Sequence, residues 1–287
     1  VHRGHQAVIG EAGRAARDAG KPWAVLTFEP HPASVFRPDA PSFRLTPFRI
    51  KARQIEALGV DALVVLHFDP DFARLPADAF IENILVKGLG ASHVVSGYDF
   101  VFGHGRRGDC EMLLHRGEMH GFGFTCVGAV KDGEGKVFSS TRVRDCLWNA
   151  DPKGAAHVLG RAFEIEGRIE HGDARGRGIG FPTANLHLDD YIRPAAGVYA
   201  IRAGIDRGEE TQWLNGVANL GIRPTFGGHD IVLEAHLFDF SGDLYGRHLR
   251  VALIDHIRPE KKFDGIADLK AQIAADCRQA RKLLARP

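Results

Sequence analysis

The sequence predicts two architectures in one chain: an α/β half built around a parallel sheet, followed by a six-stranded antiparallel β-barrel with a C-terminal helix. Three observations carry this expectation. Up to about residue 150, short β-rich runs alternate with stretches of helical pattern, as in stacked βα units. After about residue 160 the pattern changes to strands broken by Gly, Asp and Pro, as in a small barrel. The 287 residues also exceed one comfortable core, so we expect domains at 1–150 and 160–287, joined by a linker at 151–159.

In the first half the expected strands are Trp23–Phe28, Ala62–Phe68, His93–Ser96 and Phe124–Val130. A helix near His5–Ala19 is ended by Gly20-Lys21-Pro22, where glycine permits the left-handed cap and proline bars continuation. A second helix, Pro47–Leu58, takes Thr46 as N-cap and Pro47 in its first turn, and a third spans Ala77–Lys87. Further helices follow Ser139 or Ser140 and occupy Asp151–Leu159. The second half reads as strands Phe163–His171, Ala184–Leu188, Gly197–Ile205, Trp213–Leu220, Ile231–Phe240 and Leu249–Ile257. Ile266, Leu269, Ile273, Cys277, Ala280 and Leu284 recur at helical spacing, so a last helix should lay one face on the barrel.

Lys and Arg (37) nearly cancel Asp and Glu (36), which removes the global positive field expected of a protein that binds nucleic acid or an anionic membrane. Anion binding must therefore be local. The four cysteines, Cys110, Cys126, Cys146 and Cys277, form neither a Cys-x-x-Cys pair nor a compact disulfide framework, and are expected to be reduced, mostly buried thiols of a cytoplasmic protein. No apolar run reaches the roughly 20 residues of a membrane span, and no signal segment opens the chain. The chain begins at Val1, on residues that read as the mouth of a site, so N-terminal sequence is expected to be missing.

Four elements of the first half point to phosphate chemistry. His2-Arg3-Gly4-His5 stands where a loop turns into a helix, with two imidazoles one turn apart at the positive end of the helix dipole. Ser139-Ser140-Thr141-Arg142-Val143-Arg144 opens another helix; hydroxyl caps are ordinary there, but arginines in a first turn oppose the dipole unless an anion is gripped. Gly97-Tyr98-Asp99-Phe100-Val101-Phe102-Gly103 follows a strand and leads to Arg106-Arg107-Gly108, and Thr27-Phe28-Glu29-Pro30-His31-Pro32 ends one. Open α/β sheets place ligands at such strand ends.

In the second half, Gly172 to Gly180 is a glycine-rich loop with Arg175 and Arg177, able to wrap phosphates with backbone N–H groups, although plain hairpin connections share that composition. It leads into Gly180-Phe181-Pro182-Thr183-Ala184-Asn185, where a hydroxyl and an amide oxygen two residues apart are suitable hard ligands for Mg²⁺. Leu233-Glu234-Ala235-His236-Leu237 follows, with one carboxylate among apolar neighbours on an alternating strand. A metal-nucleotide clamp plus a base suggests phosphoryl transfer.

Together these motifs resemble the bacterial bifunctional riboflavin kinase/FMN adenylyltransferase (FAD synthetase) family. The resemblance covers the nucleotidyltransferase half and, almost end to end, residues 160–287, through Leu159-Gly160-Arg161, Gly197-Val198-Tyr199, Gly216-Val217-Ala218-Asn219, Arg223-Pro224-Thr225-Phe226, Asp243-Leu244-Tyr245-Gly246 and Ile257-Arg258-Pro259-Glu260. It implies a Rossmann-like nucleotidyltransferase domain before the barrel. It assigns the ATP phosphates of adenylyl transfer to His2, His5, Ser140, Thr141 and Arg144, with His2, His5 and Arg144 catalytic, and the flavin side to Asp99 and Phe100. In the kinase half it implies nucleotide contacts from Gly172, Arg177, Gly180, Thr183 and Asn185, Mg²⁺ ligation by Thr183 and Asn185, a general base in Glu234, and flavin contacts from Asn219 and Arg258. The family carries a strand ending in Gly-x-Phe-Asp-Gly immediately before Val-His-x-Gly-His, and that strand is absent from this sequence.

The implied substrates are riboflavin, FMN and ATP, with Mg²⁺, and neither nucleic acid nor a membrane as partner. Two other readings remain at this stage. One is riboflavin kinase activity alone, with an incomplete adenylyl site. The other is a non-catalytic nucleotide- or RNA-binding protein, against which stand the neutral charge balance and the lack of an aromatic-and-basic stripe on the barrel strands.

Overall fold

The computed structural model describes residues 1–40, 42–170, 180–188, 191–207, 210–225 and 228–285, with backbone alone at 207, 222–225 and 228–230. The chain forms two compact units. One comprises Val1–Pro41 and Thr46–Ser139; the other comprises Ser42–Leu45 and Ser140–Pro287.

The first unit opens on α1 (Arg3–Ala19), which ends at Gly20 in the left-handed conformation that glycine adopts without a Cβ penalty. Strand β1 (Ala24–Glu29) pairs in parallel with β2 (Ala62–His67), and β3 (His93–Gly97) with β4 (Gly123–Val127). Between them come α2 (Pro32–Phe36), α3 (Phe48–Glu56), α4 (Ala77–Phe80), a π-helical stretch Ile81–Gly88 and α5 (Cys110–His120). The strands lie within a few residues of their expected positions. They form two separate parallel pairs, not one continuous sheet. Both pairs nevertheless feed one core: Leu26, Phe28 and Leu66 from the first and Val94 and Phe124 from the second pack against Phe80, Ile81, Phe102, Leu113 and Phe122. Complete burial of side chains such as Ile81 and Leu113 contributes roughly 1.5–3 kcal/mol each.

Two helical expectations need correction. Helix α3 starts at Phe48 with Pro47, not Thr46, at the cap position, because Pro47 has an extended ψ of 162° and stays outside the helix. The expected single helix Ala77–Lys87 widens after one turn into π geometry. A Cβ on Gly88 would lie 2.9 Å from the Asn83 carbonyl oxygen, so glycine admits the wider turn.

The second unit begins with α6 (Ser140–Trp148) and α7 (Pro152–Leu159). Asp151 caps α7 by accepting from the Gly154 N–H at 2.8 Å, and Pro152 occupies its first turn. Six strands follow: β5 (Phe163–Arg168), β6 (Ala184–His187), β7 (Gly197–Arg207), β8 (Glu210–Thr225), β9 (Gly228–Leu237) and β10 (His248–Arg258), in the order β5-β10-β7-β8-β9-β6, every pair antiparallel. The Glu170 N–H donates to the Asn185 carbonyl at 3.1 Å and brings the two outer strands together, so the barrel is nearly closed. Strand β8 runs past its expected end at Leu220 and takes in Arg223-Pro224-Thr225.

Helix α8 (Ile266–Leu284) lays Ala280 and Leu284 on Val198, Ala200, Val217 and Phe238 of the barrel's outer face. Ile266 is the exception to the expected apolar stripe: it is 66% exposed in a first turn whose cap, Gly265, offers no side-chain bond.

Candidate active sites

In the first unit, the His-x-Gly-His segment folds back on itself at the start of α1. His2 is the N-cap, and its Nδ1 accepts the His5 N–H at 3.3 Å. The imidazoles stack with centroids 3.8 Å apart. The intervening glycine is required by contact, since a Cβ on Gly4 would sit 3.0 Å from the His2 ring and from the Phe138 carbonyl oxygen. Because Nδ1 is an acceptor, the neutral ring carries its proton on Nε2, which remains a donor. Burial is the main reason that the His2 pKa falls to about 4, against a smaller upward pull from Asp99. His5 is also lowered, by burial and then by its neighbour His2. His5 is an exposed residue, which tempers that effect.

Asp99 therefore belongs electrostatically with His2, just beyond the end of β3, where a Cβ on Gly97 would lie 3.2 Å from its carboxylate. Phe100 stacks on Phe102 at 5.5 Å and packs on the unit's core. At the end of β1, His31 caps α2 by accepting the Ala33 N–H at 3.1 Å. Lys51 of α3 donates to Thr27 Oγ1 at 3.0 Å and Glu29 Oε1 at 2.6 Å, holding that strand end. Sequence reading missed Lys51, whose single charge in a helix gave no local signal.

Ser140, Thr141 and Arg144 fall in the second unit, on the first turns of α6. Thr141 is exposed, Ser140 and Arg144 half-buried. Arg144 donates from Nε to the Phe43 carbonyl at 3.0 Å and lies over the Phe43 ring, and burial lowers its pKa.

The residues expected to serve the kinase half come together on the barrel by strand register. Asn185 of β6 faces Glu234 of β9; Glu234 faces Asn219 of β8; Asn219 faces Val198 of β7; Val198 faces Arg258 of β10. Directly opposed residues share a face, so one row holds Asn185, Glu234, Asn219 and Arg258 beside the seat of α8. On β9, Leu233, Ala235 and Leu237 are buried on the other face, as alternation predicts. His236 accompanies Glu234, with Nδ1 2.9 Å from the Pro182 carbonyl oxygen and its ring against Phe181.

Gly180 has φ +91°, a conformation that favours glycine, at the start of the extended run to Thr183 and Asn185. Those two residues line a pocket of about 280 Å³ with Ala235, Leu237, Asp243 and Tyr245. Glu234 does not line it. Asp243 and Tyr245 belong to a motif already noted, but nothing in its spacing places them here. Asn185 is 6% exposed, and its buried Oδ1 has no hydrogen-bond partner among the described residues. A buried, unpaired amide oxygen beside a hydroxyl is a donor set suited to a hard cation such as Mg²⁺.

Arg258 is engaged within the protein: its guanidinium holds the Asp276 carboxylate of α8 through Nε and Nη2 at 2.7–3.1 Å. Asn219 Nδ2 donates to Glu260 Oε1 at 3.3 Å. Gly172 and Arg177 lie outside the described residues.

Comparison with known proteins matches both halves of the chain. Residues 1–142 match the FAD synthetase family and residues 159–284 the riboflavin kinase family. The bifunctional riboflavin kinase/FMN adenylyltransferase of Escherichia coli (strain K12) is 43% identical over 282 residues, covering 98% of this chain and 89% of that protein. The Bacillus subtilis (strain 168) protein described in the same words is 40% identical, covering 98% and 88%. Among solved structures, one described as a macrolide-efflux protein from Streptococcus pneumoniae superposes with a TM-score of 0.86 at 34% identity, covering 98% of this chain and 90% of its own. With full-length relatives above 30% identity and both component families matched in order, this chain belongs to the bifunctional riboflavin kinase/FMN adenylyltransferase family.

Proposed function

We infer that this chain phosphorylates riboflavin with ATP to give FMN and then adenylylates FMN to FAD with release of pyrophosphate. The observation that carries the kinase assignment is the buried Asn185 Oδ1, without a partner among the described residues, in a pocket with Thr183 and directly across one strand pairing from Glu234. In the kinase step Glu234 accepts the proton of the ribityl 5′-hydroxyl as that oxygen attacks the γ-phosphorus, and ADP leaves. Thr183 and Asn185 hold the Mg²⁺ that accompanies ATP, which offsets the charge of the phosphates. Asn219 and Arg258, in the same row as Glu234, orient the flavin, while Gly172, Arg177 and Gly180 contact the nucleotide.

In the adenylyl step a phosphate oxygen of FMN attacks the α-phosphorus of ATP, so the protein aligns and stabilises charge and supplies no nucleophile. The neutral His2 ring donates from Nε2, His5 stacks on it, and Ser140, Thr141 and Arg144 add donors to the ATP phosphates. Asp99 and Phe100 serve the flavin side. No helix among the described residues is long and apolar enough to cross a membrane.

The test is to incubate the purified chain with riboflavin, ATP and Mg²⁺ and follow products by chromatography. FMN followed by FAD supports both activities. FMN alone restricts the chain to the kinase, and no product from folded protein overturns the reading.

A further inference from the structure

Cys110, the first residue of α5, and Cys126, in β4, place their sulfur atoms 3.0 Å apart. Both are free thiols, and Cys126 is exposed, contrary to the expectation that the cysteines are mostly buried. A disulfide requires about 2.05 Å between sulfurs, so the pair is about 1 Å from bonding distance before any backbone moves.

The surroundings connect this pair to the adenylyl site. Cys110 Sγ donates to the Gly97 carbonyl at 3.4 Å and contacts the buried Ser96 hydroxyl at 3.5 Å. The same Gly97 carbonyl accepts the Phe100 N–H at 3.0 Å, closing the turn that presents Asp99 and Phe100. One acceptor thus joins the thiol to the two residues assigned to the flavin side. The loop that begins at Gly97 also ends at Asp109, the cap of α5 immediately before Cys110.

We propose that Cys110 and Cys126 form a reversible dithiol/disulfide site that takes oxidising equivalents from low-molecular-weight disulfides and sets the rate of the adenylyl step. The hydrogen bond that Cys126 donates to Cys110, together with burial, raises the Cys126 pKa to about 11, so the reacting species is a small thiolate fraction that grows with pH. It attacks one sulfur of a disulfide such as oxidised glutathione, giving a mixed disulfide and one thiolate leaving group. Cys110, 3.0 Å away, then attacks the Cys126 sulfur and expels the second thiolate. Two protein thiols become one disulfide, one small disulfide becomes two thiols, and the two protons pass to the released sulfurs. The product has no S–H left on Cys110, so Gly97 loses one donor at the turn bearing Asp99. The effect on FAD formation rests on the adenylyltransferase reading; formation of the bond does not.

The full chain is treated with oxidised glutathione, digested without reduction, and searched by mass for a peptide linking Cys110 to Cys126. In parallel, amide exchange at Phe100 and the two product-forming rates are followed. The expected result is a linked peptide lacking two hydrogens, an altered exchange rate at Phe100, and FAD formation slowed about tenfold with FMN formation unchanged, all reversed by a dithiol reductant. Cys126→Ser should keep its FAD formation in the oxidant. Glutathione retained on Cys126 with no link to Cys110 overturns the site, whatever the enzyme activity. A link that leaves both Phe100 exchange and FAD formation unaltered overturns the coupling to the adenylyl step.

Discussion

Asn185 and Glu234 face each other across β6 and β9, one contributing a buried amide oxygen without a partner and the other a half-buried carboxylate. Their spacing is fixed by the backbone ladder, so each can be altered with little effect on the other's position.

Glu234→Gln keeps the shape and removes the base. Riboflavin phosphorylation should fall by about 100-fold or more in kcat, with flavin and ATP binding largely intact by calorimetry. Adenylylation of supplied FMN should continue, which makes FAD formation from FMN an internal control for folding.

Asn185→Leu separates stability from activity. Removing a buried acceptor that has no partner should leave the barrel's Tm unchanged or raise stability by up to about 1–2 kcal/mol. The same variant should need much more Mg²⁺ and ATP for half-maximal kinase rate. Thermal scanning and substrate titration check the two halves of this expectation.

The histidine pair predicts a pH dependence. Burial and, after it, the positive N-terminus at Val1 depress the His2 pKa from 6.5 to about 4, so the unfolded chain binds more protons than the fold between those values. The stabilisation of the neutral ring is complete above pH 6.5 and is lost as pH falls towards 4, on the order of 2–3 kcal/mol in all. His2→Asn keeps an N-cap side chain but cannot titrate, so this variant should show a flatter decline. Amide exchange within α1, compared at pH 7.5 and 4.5 after correction for intrinsic rates, reads the difference.

Asp276→Ala strands the Arg258 guanidinium. Asp276 is 4% exposed and holds both Arg258 and Gln272, so its loss should destabilise the barrel by about 3 kcal/mol. The double change Asp276→Leu with Arg258→Met should recover most of that stability in urea unfolding without restoring flavin affinity.

Much of this fold was legible because its signals are local. Alternation gave β9 and its two faces, Gly20 and Pro22 gave the end of α1, and His2, Gly4 and His5 gave a helix start whose cap and stacked rings depend on four consecutive residues. What escaped depends on distant partners. Nothing near Lys51 announces Glu29, nothing near Cys110 announces Cys126, and the row from Asn185 to Arg258 exists only through the pairing of five strands. The π-helical turn after Phe80 was illegible for another reason: apolar spacing hardly distinguishes α from π geometry over so short a stretch, and Gly88 alone carries the signal.

Ser42–Leu45 belongs to the second unit although the sequence around it belongs to the first. The polypeptide therefore passes between units at 41/42, 45/46 and 139/140, and no single cut yields both as continuous pieces. Within the second unit this short excursion supplies the Arg44 carbonyl that accepts the Ile192 N–H at 2.7 Å, and the Phe43 carbonyl and ring that receive Arg144. A gene fragment begun at Ser140 would lack all three contacts. Modularity in this enzyme is topological rather than linear: recombination that exchanged one catalytic half between relatives would have to carry four residues from the middle of the other.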